Sequence, residues 1–556
     1  MGKALFCRWS KETPSGLNFS DYELLHLIIE DGQSMVVIPG SPENLTEKGF
    51  LFRVASQAFS VGKRQARRYA GNEVSVELIQ SGIVATGRLL DFSHVGFRVS
   101  ITSEISDSNK WFNIEASVTI QLRYLNEVVL SANCRCVRKE GVMGNLEVVL
   151  APAQEKISRY KKRQFRNHRQ CLLPPPVLTF FHPLLNKQVR LAVSDISTSG
   201  FSVYETPQES LLLQGMIIPE LTIEFFGALQ LRCSAQVLYR LEDQKGIRCG
   251  ITILDMDVNS YSRLSHILYN ALDPNSHISQ RLDLDALWEF LFESGFIYPL
   301  KYKIIQSHRN EFKRTYKKLY QQSPEIAKHI TYQRHGRIEG HISMVRVYEK
   351  AWMIHHHASR KSGGRMAGLK VLKDLMLYLN DMHRLPSANM DYALCYYSPE
   401  KKFPDKLFGG FARELREPRG CSLDLFTYYP STTQCEAIHC PSGWALRECS
   451  TRDIWELSQF YSYRSGGLFL DVIGLSSAGS GENKLGSVYK RHGLMRKWHA
   501  YSLDYEGRLC AVLILDQSDL GINLSELINS IKVFVIDTDT GILTWNIISF
   551  AVGELR

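Results

Sequence analysis

The chain has 556 residues, 44% hydrophobic and 22% charged, with a formal net charge of +9. At about 150 residues per domain, that length predicts three or four globular domains with sizeable cores. The charge excess is small for the length, so it excludes charge alone as a reason to expect DNA binding and fits a local anion site.

The opening segment, "MGKALFCRWSKE", has no secretory apolar core, and Phe6 stands where a myristoylation signal needs Ser or Thr. Residues 1–61 read as an N-terminal extension that mixes short apolar runs with one helical piece, "DYELLHLIIE". From residue 62 the texture becomes short, β-branched and partly alternating: "VSVELI", "IVATGRLLDFS", "GFRVSI", "ASVTIQLRYL", "VVLSANCRCV", "NLEVVLA". This predicts a small all-β barrel or sandwich over 62–155. The pattern repeats over 156–272, from "PVLTFF" to "IRCGITILDM", and the helical segment "VNSYSRLSHILYNAL" closes it. "DPNSHISQ" reads as a linker.

The remainder, 281–556, alternates helix and strand and predicts an α+β region in two related halves, 281–435 and a truncated 450–556. Asp283 or Asp285 caps a helix whose Leu284, Leu287, Trp288, Leu291 and Phe292 share one face. "RNEFKRTYKKLYQQ" is a basic helix, and "HISMVRVYEKAWMIHHHAS" a long strand or hairpin arm. A loop, "RKSGGRMAG", leads into helix "LKVLKDLMLYLNDM". Strand "MDYALCYYS", helix "DKLFGGFARELRE" and strand "CSLDLFTYYP" follow. "DIWELSQFY" then echoes the first half, before "LGSVYKRHG", a hairpin turning at Glu506-Gly507, and strand "IKVFVID".

No run of 18 apolar residues occurs, so no transmembrane segment is expected. The twelve cysteines are scattered, with no Cys-x-x-Cys pair. A zinc site is unsupported, and free thiols of a cytoplasmic protein are expected. The three consecutive histidines, His355 to His357, lack a carboxylate or Cys at ligand spacing. On a regular strand only His355 and His357 would share a face. Tyr348 and Glu349 are unranked acid–base candidates on the same strand.

Each barrel carries the same heptad at a strand end: Asp91, Ser93 and Gly96 in "LLDFSHVGF", and Asp195, Ser197 and Gly200 in "AVSDISTSGF". Upstream of the first lies "KRQARRYAG", with Arg64 and Arg68 as Arg-x-x-x-Arg. Upstream of the second lies "RYKKRQFRNHRQ", where Lys162 and Arg166 align best and Arg159 and Arg163 give the literal spacing. Guanidinium forks bind phosphate oxygens and guanine O6/N7 bidentately, and a carboxylate accepts from the guanine N1–H and amine. Lys keeps the charge and loses the fork. The plainer alternative is a solvated basic run next to an Asx turn. The pairing of turn and arm in both copies speaks against it.

Arg-x-x-x-Arg followed by Asp-x-Ser-x-x-Gly in a small β-barrel resembles the PilZ domain, the common bacterial receptor for cyclic di-GMP. The resemblance covers 62–272 as two tandem copies. It implies that the arginine segment folds over the nucleotide and that the Asp/Ser strand end forms the opposing wall. The element order from 281 onward resembles the acyltransferase fold of the GNAT superfamily, in tandem as in Fem-type relatives. That family holds acyl-CoA at Gln/Arg-x-x-Gly-x-Gly/Ala. Here Arg365 and Gly368 match, and Lys370 stands where a small residue belongs.

Together these readings predict a multidomain chain: two small all-β PilZ-like barrels followed by an α+β GNAT-like module. They imply a cytoplasmic bacterial effector that senses cyclic di-GMP without a metal. Its output would be either a protein partner in motility or exopolysaccharide control, or acyl transfer from acyl-CoA. Nucleic acid is not expected, because aromatics do not interleave with the basic charges.

Overall fold

The computed structural model describes residues 4–9, 26–30, 35–46, 49–55, 57–61, 66–71, 74–102, 111–142, 145–153, 157, 167–206, 210–278, 282–297, 302, 305–360, 365–429, 441–475, 484–524, 527–538 and 541–555. The chain divides into two compact units, Met1–Gln164 with His168–Leu254, and Phe165–Asn167 with Asp255–Arg556.

The first unit opens with a five-stranded antiparallel sheet. Its strands are β1 (Ala4–Arg8), β2 (His26–Glu30), β3 (Met35–Thr46), β4 (Gly49–Val54) and β5 (Phe59–Val61), ordered β1-β4-β3-β2 with β5 on β3. The helix expected in "DYELLHLIIE" is therefore corrected over His26–Glu30, and residues 21–25 lie outside the described residues. Ile28 and Ile29 are β-branched and pair with Val37 and Val36, so the extended conformation wins over local helical periodicity.

The first barrel uses β7 (Ser75–Gln80), β8 (Ile83–Ser93), β9 (Gly96–Thr102), β10 (Val118–Tyr124), β11 (Glu127–Val142) and β12 (Asn145–Pro152). They run β8-β7-β10-β11-β12-β9, and β9 pairs back onto β8, closing six strands. A two-residue strand, β6 (Tyr69–Ala70), adds to the far end of β8. Alternation explains the core: Val118, Ile120 and Leu122 of β10 are buried, while Thr119 and Gln121 between them are only half-buried.

The second barrel is closed by β13 (Val177–His182), β14 (Lys187–Ser197), β15 (Gly200–Glu205), β16 (Ile217–Phe225), β17 (Leu229–Asp243) and β18 (Gly246–Asp255), in the ring β13-β14-β15-β18-β17-β16. Strand for strand this is the ring of the first barrel. The sequence repeat is a repeat of topology.

In the second unit, the helix Val258–Leu272 starts at an Asp257 cap that accepts from the Asn259 and Ser260 amides. Expected to close the second barrel, it packs instead on the helix Arg365–Met382, where Tyr261 Oη donates to the Tyr378 carbonyl at 2.9 Å. The residues read as a linker hold a short strand, β19 (Ser276–His277), on the edge of a sheet. That sheet continues through β20 (Ala327–Arg334), β21 (Arg337–Tyr348), β22 (Ala351–Ser359) and β23 (Tyr392–Cys395). β22 and β23 run parallel, with Arg365–Met382 as the crossover helix.

A second, antiparallel sheet follows: β24 (Trp444–Glu448), β25 (Arg496–Tyr505), β26 (Arg508–Ser518) and β27 (Ser530–Val535). The β25–β26 hairpin turns at Glu506 (φ +48) and Gly507 (φ +81) as expected. One apolar core joins both halves, with Leu291 and Val345 from the first and Leu457 and Val512 from the second.

One expected strand fails to form. Cys421–Tyr429 is irregular, and Leu425 is 86% exposed. Its apolar side chains find no sheet to cover, and side chains hold the segment instead: Asp424 accepts from Tyr461 Oη at 2.9 Å and Ser465 Oγ at 2.7 Å.

Candidate functional site

β8 and β14 are both 11 residues long, and each carries a one-residue bulge just before its motif aspartate. On β8 the register jumps between Leu89 and Asp91, and on β14 between Val193 and Asp195. Such a bulge bends the strand and re-aims the side chain that follows. The heptad then closes the hairpin: Ser93 pairs with Gly96 and Ser197 with Gly200. Glycine is required there, because a Cβ at Gly96 would stand 2.8 Å from the Leu150 carbonyl oxygen, and one at Gly200 would collide with that of Ile251.

The first motif brings its two sequence-distant halves together. Arg68 Nη1 donates to Asp91 Oδ1 at 2.5 Å, and Arg98 Nε donates to Asp91 Oδ2 at 2.6 Å. Arg98 lies directly across the hairpin from Asp91. β6 holds the arm in place, since Tyr69 and Ala70 pair with Phe92 and Asp91. The Asp91 and Arg68 side chains remain 16% and 29% exposed, so the site is open to solvent. Arg64 lies outside the described residues. The Ser93 hydroxyl is buried and, among the described residues, has no hydrogen-bond partner.

The second motif has the same frame with different donors. Arg169 Nη1 donates to Asp195 Oδ1 at 2.6 Å, while Ser202 Oγ at 2.6 Å and Arg248 Nη2 at 2.5 Å donate to Oδ2. Burial raises the Asp195 carboxyl pKa, but hydrogen bonds from Ser202, Arg169 and Arg248 outweigh it and leave the pKa lowered. Ser197 Oγ is satisfied by the Gly200 carbonyl at 3.0 Å.

Arg169 is the residue that sequence alignment missed. Gln170 bridges Ile196 just as Tyr69 pairs with Phe92, which puts Arg169 in the place of Arg68. Arg159, Lys162, Arg163 and Arg166 lie outside the described residues. By the same register, the position four before Arg169 is Phe165, where the first arm has Arg64. The available signal was the spacing to the aspartate: 23 residues from Arg68 and 26 from Arg169, the extra three falling within "LLPPP".

Contacts between the barrels start at the first motif. The Phe92 ring lies 6.2 Å from that of His182. His94 Nδ1, in the motif turn, is 3.3 Å from Ser210 Oγ, and Arg240 reaches Ser210, the Leu212 carbonyl and Glu205. An open groove of about 630 Å³ flanks the motif, lined by Gly71, Val74, Ser75, Gly87, Arg88 and Leu89, with Asn186 from the second barrel.

Of the C-terminal candidates, Tyr348 and His355 are built into the core, while Glu349 is exposed. Tyr348 Oη donates to Asp516 Oδ2 at 3.0 Å, inside a buried network in which Arg496 and Lys532 also bond Asp516. Glu349 pairs with Arg346 and accepts from the Leu485 amide. The strand alternation expected for His355 and His357 is corrected. His356 has φ +51, which breaks the period and sets the His355 and His356 rings 4.0 Å apart.

His329 and His341 lie on the neighbouring strands, also buried. Burial pushes the His341 pKa down to about 4 and that of His355 to about 3. Gly368 sits in the first turn of its helix, its carbonyl 2.9 Å from His357 Nε2, and the Arg365 side chain lies outside the described residues. Among the described residues, no group of three or more His, Cys, Asp or Glu is placed to hold a metal ion, and no helix is long and apolar enough to cross a membrane.

The architecture and site define a chain of two tandem six-stranded barrels, each with an arginine held by a bulge-aimed aspartate. No protein family matches the sequence, and no curated protein matches it. Solved structures are similar over about a third of the chain. The Bacillus subtilis inhibitor of motility MotI/DgrA is 16% identical over 37% of this chain and 97% of its own, with a TM-score of 0.17. YcgR from Escherichia coli, in complex with c-di-GMP, is 15% identical over 36% and 84%, with a TM-score of 0.18. The K. pneumonia MrkH–c-di-GMP complex is 11% identical over 36% and 87%, with a TM-score of 0.18.

Proposed function

We propose that the first barrel is a receptor for cyclic di-GMP, with Arg64, Arg68, Asp91, Ser93 and Gly96 as its binding residues. The observation that carries this reading is the 2.5 Å contact of Arg68 with Asp91. It sets a guanidinium fork and a carboxylate side by side at an open strand end, as phosphate and guanine recognition require. Binding draws Arg68 toward the ligand and loosens its hold on Asp91. In the second barrel Arg169 replaces the arm arginine, Phe165 is the residue four positions before it in the sequence, and Asp195 already accepts from three donors. That copy is a weaker site or a scaffold.

The C-terminal unit is the output in this reading. Calorimetric titration of the full chain with cyclic di-GMP is the test. Absence of binding, or an unchanged affinity in Arg64→Ala/Arg68→Ala, overturns the reading.

A second reading, acyl transfer by the C-terminal unit, draws on one observation. β22, the crossover helix Arg365–Met382 and the parallel strand β23 form a unit whose helix N-terminus suits an anion, and the glycine-rich residues 361–364 before it lie outside the described residues. Titration with acetyl-CoA separates the two outputs, since binding that Gly368→Asp abolishes is expected only for the enzyme.

A further inference from the structure

The groove beside the first motif is unused by the residues named so far. It begins where the Arg68–Asp91 pair ends, since Gly71 follows β6 directly and its amide donates to the Leu90 carbonyl at 3.0 Å. Its wall is backbone at Gly71 and Gly87 with the buried Val74 and Leu89 behind it, and the surface it presents is mainly polar. Its polar groups are few and of distinct kinds, a guanidinium at Arg88, a hydroxyl at Ser75 and a neutral amide at Asn186. Arg88 and Ser75 face each other across β7 and β8. Arg88 is exposed and, among the described residues, forms no ion pair, unlike Arg68 and Arg98 beside it.

Asn186 sits at φ +52 in the β13–β14 turn, and Tyr124 Oη of the first barrel donates to its Oδ1 at 3.4 Å. The second barrel thus contributes a side chain to a groove on the first. The corresponding position in the second copy is Ala192, paired with Val177, so no cation stands there.

A groove whose polar groups are one guanidinium fork, a hydroxyl and an amide suits the hydrogen-bonding edge of a base better than a bare phosphate, which would call for several cations or converging amides. We infer that this groove seats a guanine of the bound cyclic dinucleotide, with Arg88 reading its O6/N7 edge and Asn186 of the second barrel closing over it. The inference rests on the nucleotide reading above and deepens it. Arg68 and Asp91 hold one part of the ligand, and Arg88 and Asn186 select the base of another part.

Calorimetric titration of the full chain with cyclic di-GMP tests it in wild type, Arg88→Ala, Arg88→Lys and Asn186→Ala. Arg88 is exposed, so the variants fold, and far-UV circular dichroism checks this. A bidentate base contact predicts about a tenfold or greater loss of affinity for Arg88→Ala. Arg88→Lys is expected to recover little, because it keeps the charge without the fork, and Asn186→Ala to show a smaller loss. Unchanged affinity in Arg88→Ala, or full recovery in Arg88→Lys, overturns the base-reading role, and unchanged affinity in Asn186→Ala overturns the second-barrel contact. No binding by the wild type overturns the nucleotide reading itself, and this inference with it.

Discussion

Arg169 donates from Nη1 to Oδ1 of Asp195 at 2.6 Å, joining the same atoms that link Arg68 to Asp91 at 2.5 Å. Around this shared contact the copies diverge. The second cation on the aspartate comes from across the hairpin in the first barrel, Arg98, and from the next strand in the second, Arg248. Where the first copy has Arg98, the second has Ser202, and where the second has Arg248, the first has Glu147. The cation has changed strand while its carboxylate partner stayed in place.

The two aspartates are expected to differ in what they stabilise. Asp91 is partly exposed, and its ion pairs are screened, so Asp91→Ala should cost at most about 1 kcal/mol in stability while reducing nucleotide affinity. The Asp195 side chain is only 9% exposed and accepts three charge-assisted or hydroxyl hydrogen bonds. Asp195→Ala leaves Arg169 and Arg248 without a carboxylate and should cost about 2–4 kcal/mol. Urea unfolding of both variants checks the contrast.

The lowered pKa of Asp195 carries a pH signature. Its stabilisation is complete above the ordinary aspartate value of about 3.9 and is lost as the pH falls through the lower folded value. Thermal melts between pH 5 and 2.5, values on the order of the acid range in which carboxylates protonate, should show a steeper decline in wild type than in Asp195→Asn.

The histidine-rich sheet of the C-terminal unit should lose stability at a higher pH. His341 and His355 are held neutral by burial, with folded pKa values of about 4 and about 3, below the unfolded value of about 6.5. The unfolded chain then binds more protons, so stability falls as the pH drops below about 6.5 and keeps falling toward the folded values. Hydrogen exchange of peptides spanning 327–359, corrected for intrinsic rates, should show weaker protection at pH 5 than at pH 7.5, pH values lying on about either side of the unfolded histidine pKa.

Asp516 is the charge most costly to remove. It is 1% exposed and bonds the buried Arg496 together with Lys532 and Tyr348. Asp516→Ala leaves the buried Arg496 and the half-buried Lys532 uncompensated and should destabilise the C-terminal unit by about 3–5 kcal/mol. Replacing a partly exposed pair, as in Glu325→Ala beside Arg491, should cost less than about 1 kcal/mol in the same denaturation assay.

The sequence by itself determined the two barrels, because a sheet that buries one face writes its alternation into every strand, and Asp91/Ser93/Gly96 and Asp195/Ser197/Gly200 recur at one topological place. It also determined the C-terminal helices at Asp283 and Asp257, whose caps are local chemistry. Tertiary structure alone decided the bulges before Asp91 and Asp195, the choice of Arg169 over the denser charges upstream, and the exchange of Arg98 for Arg248. The bulges and the exchange depend on which strands become neighbours when a ring closes, and the spacing from Arg169 to Asp195 is legible only once the pairing of Gln170 with Ile196 sets the register. It likewise decided that His355 and His356, not His355 and His357, come together, since one residue at positive φ overrides the period of a whole strand.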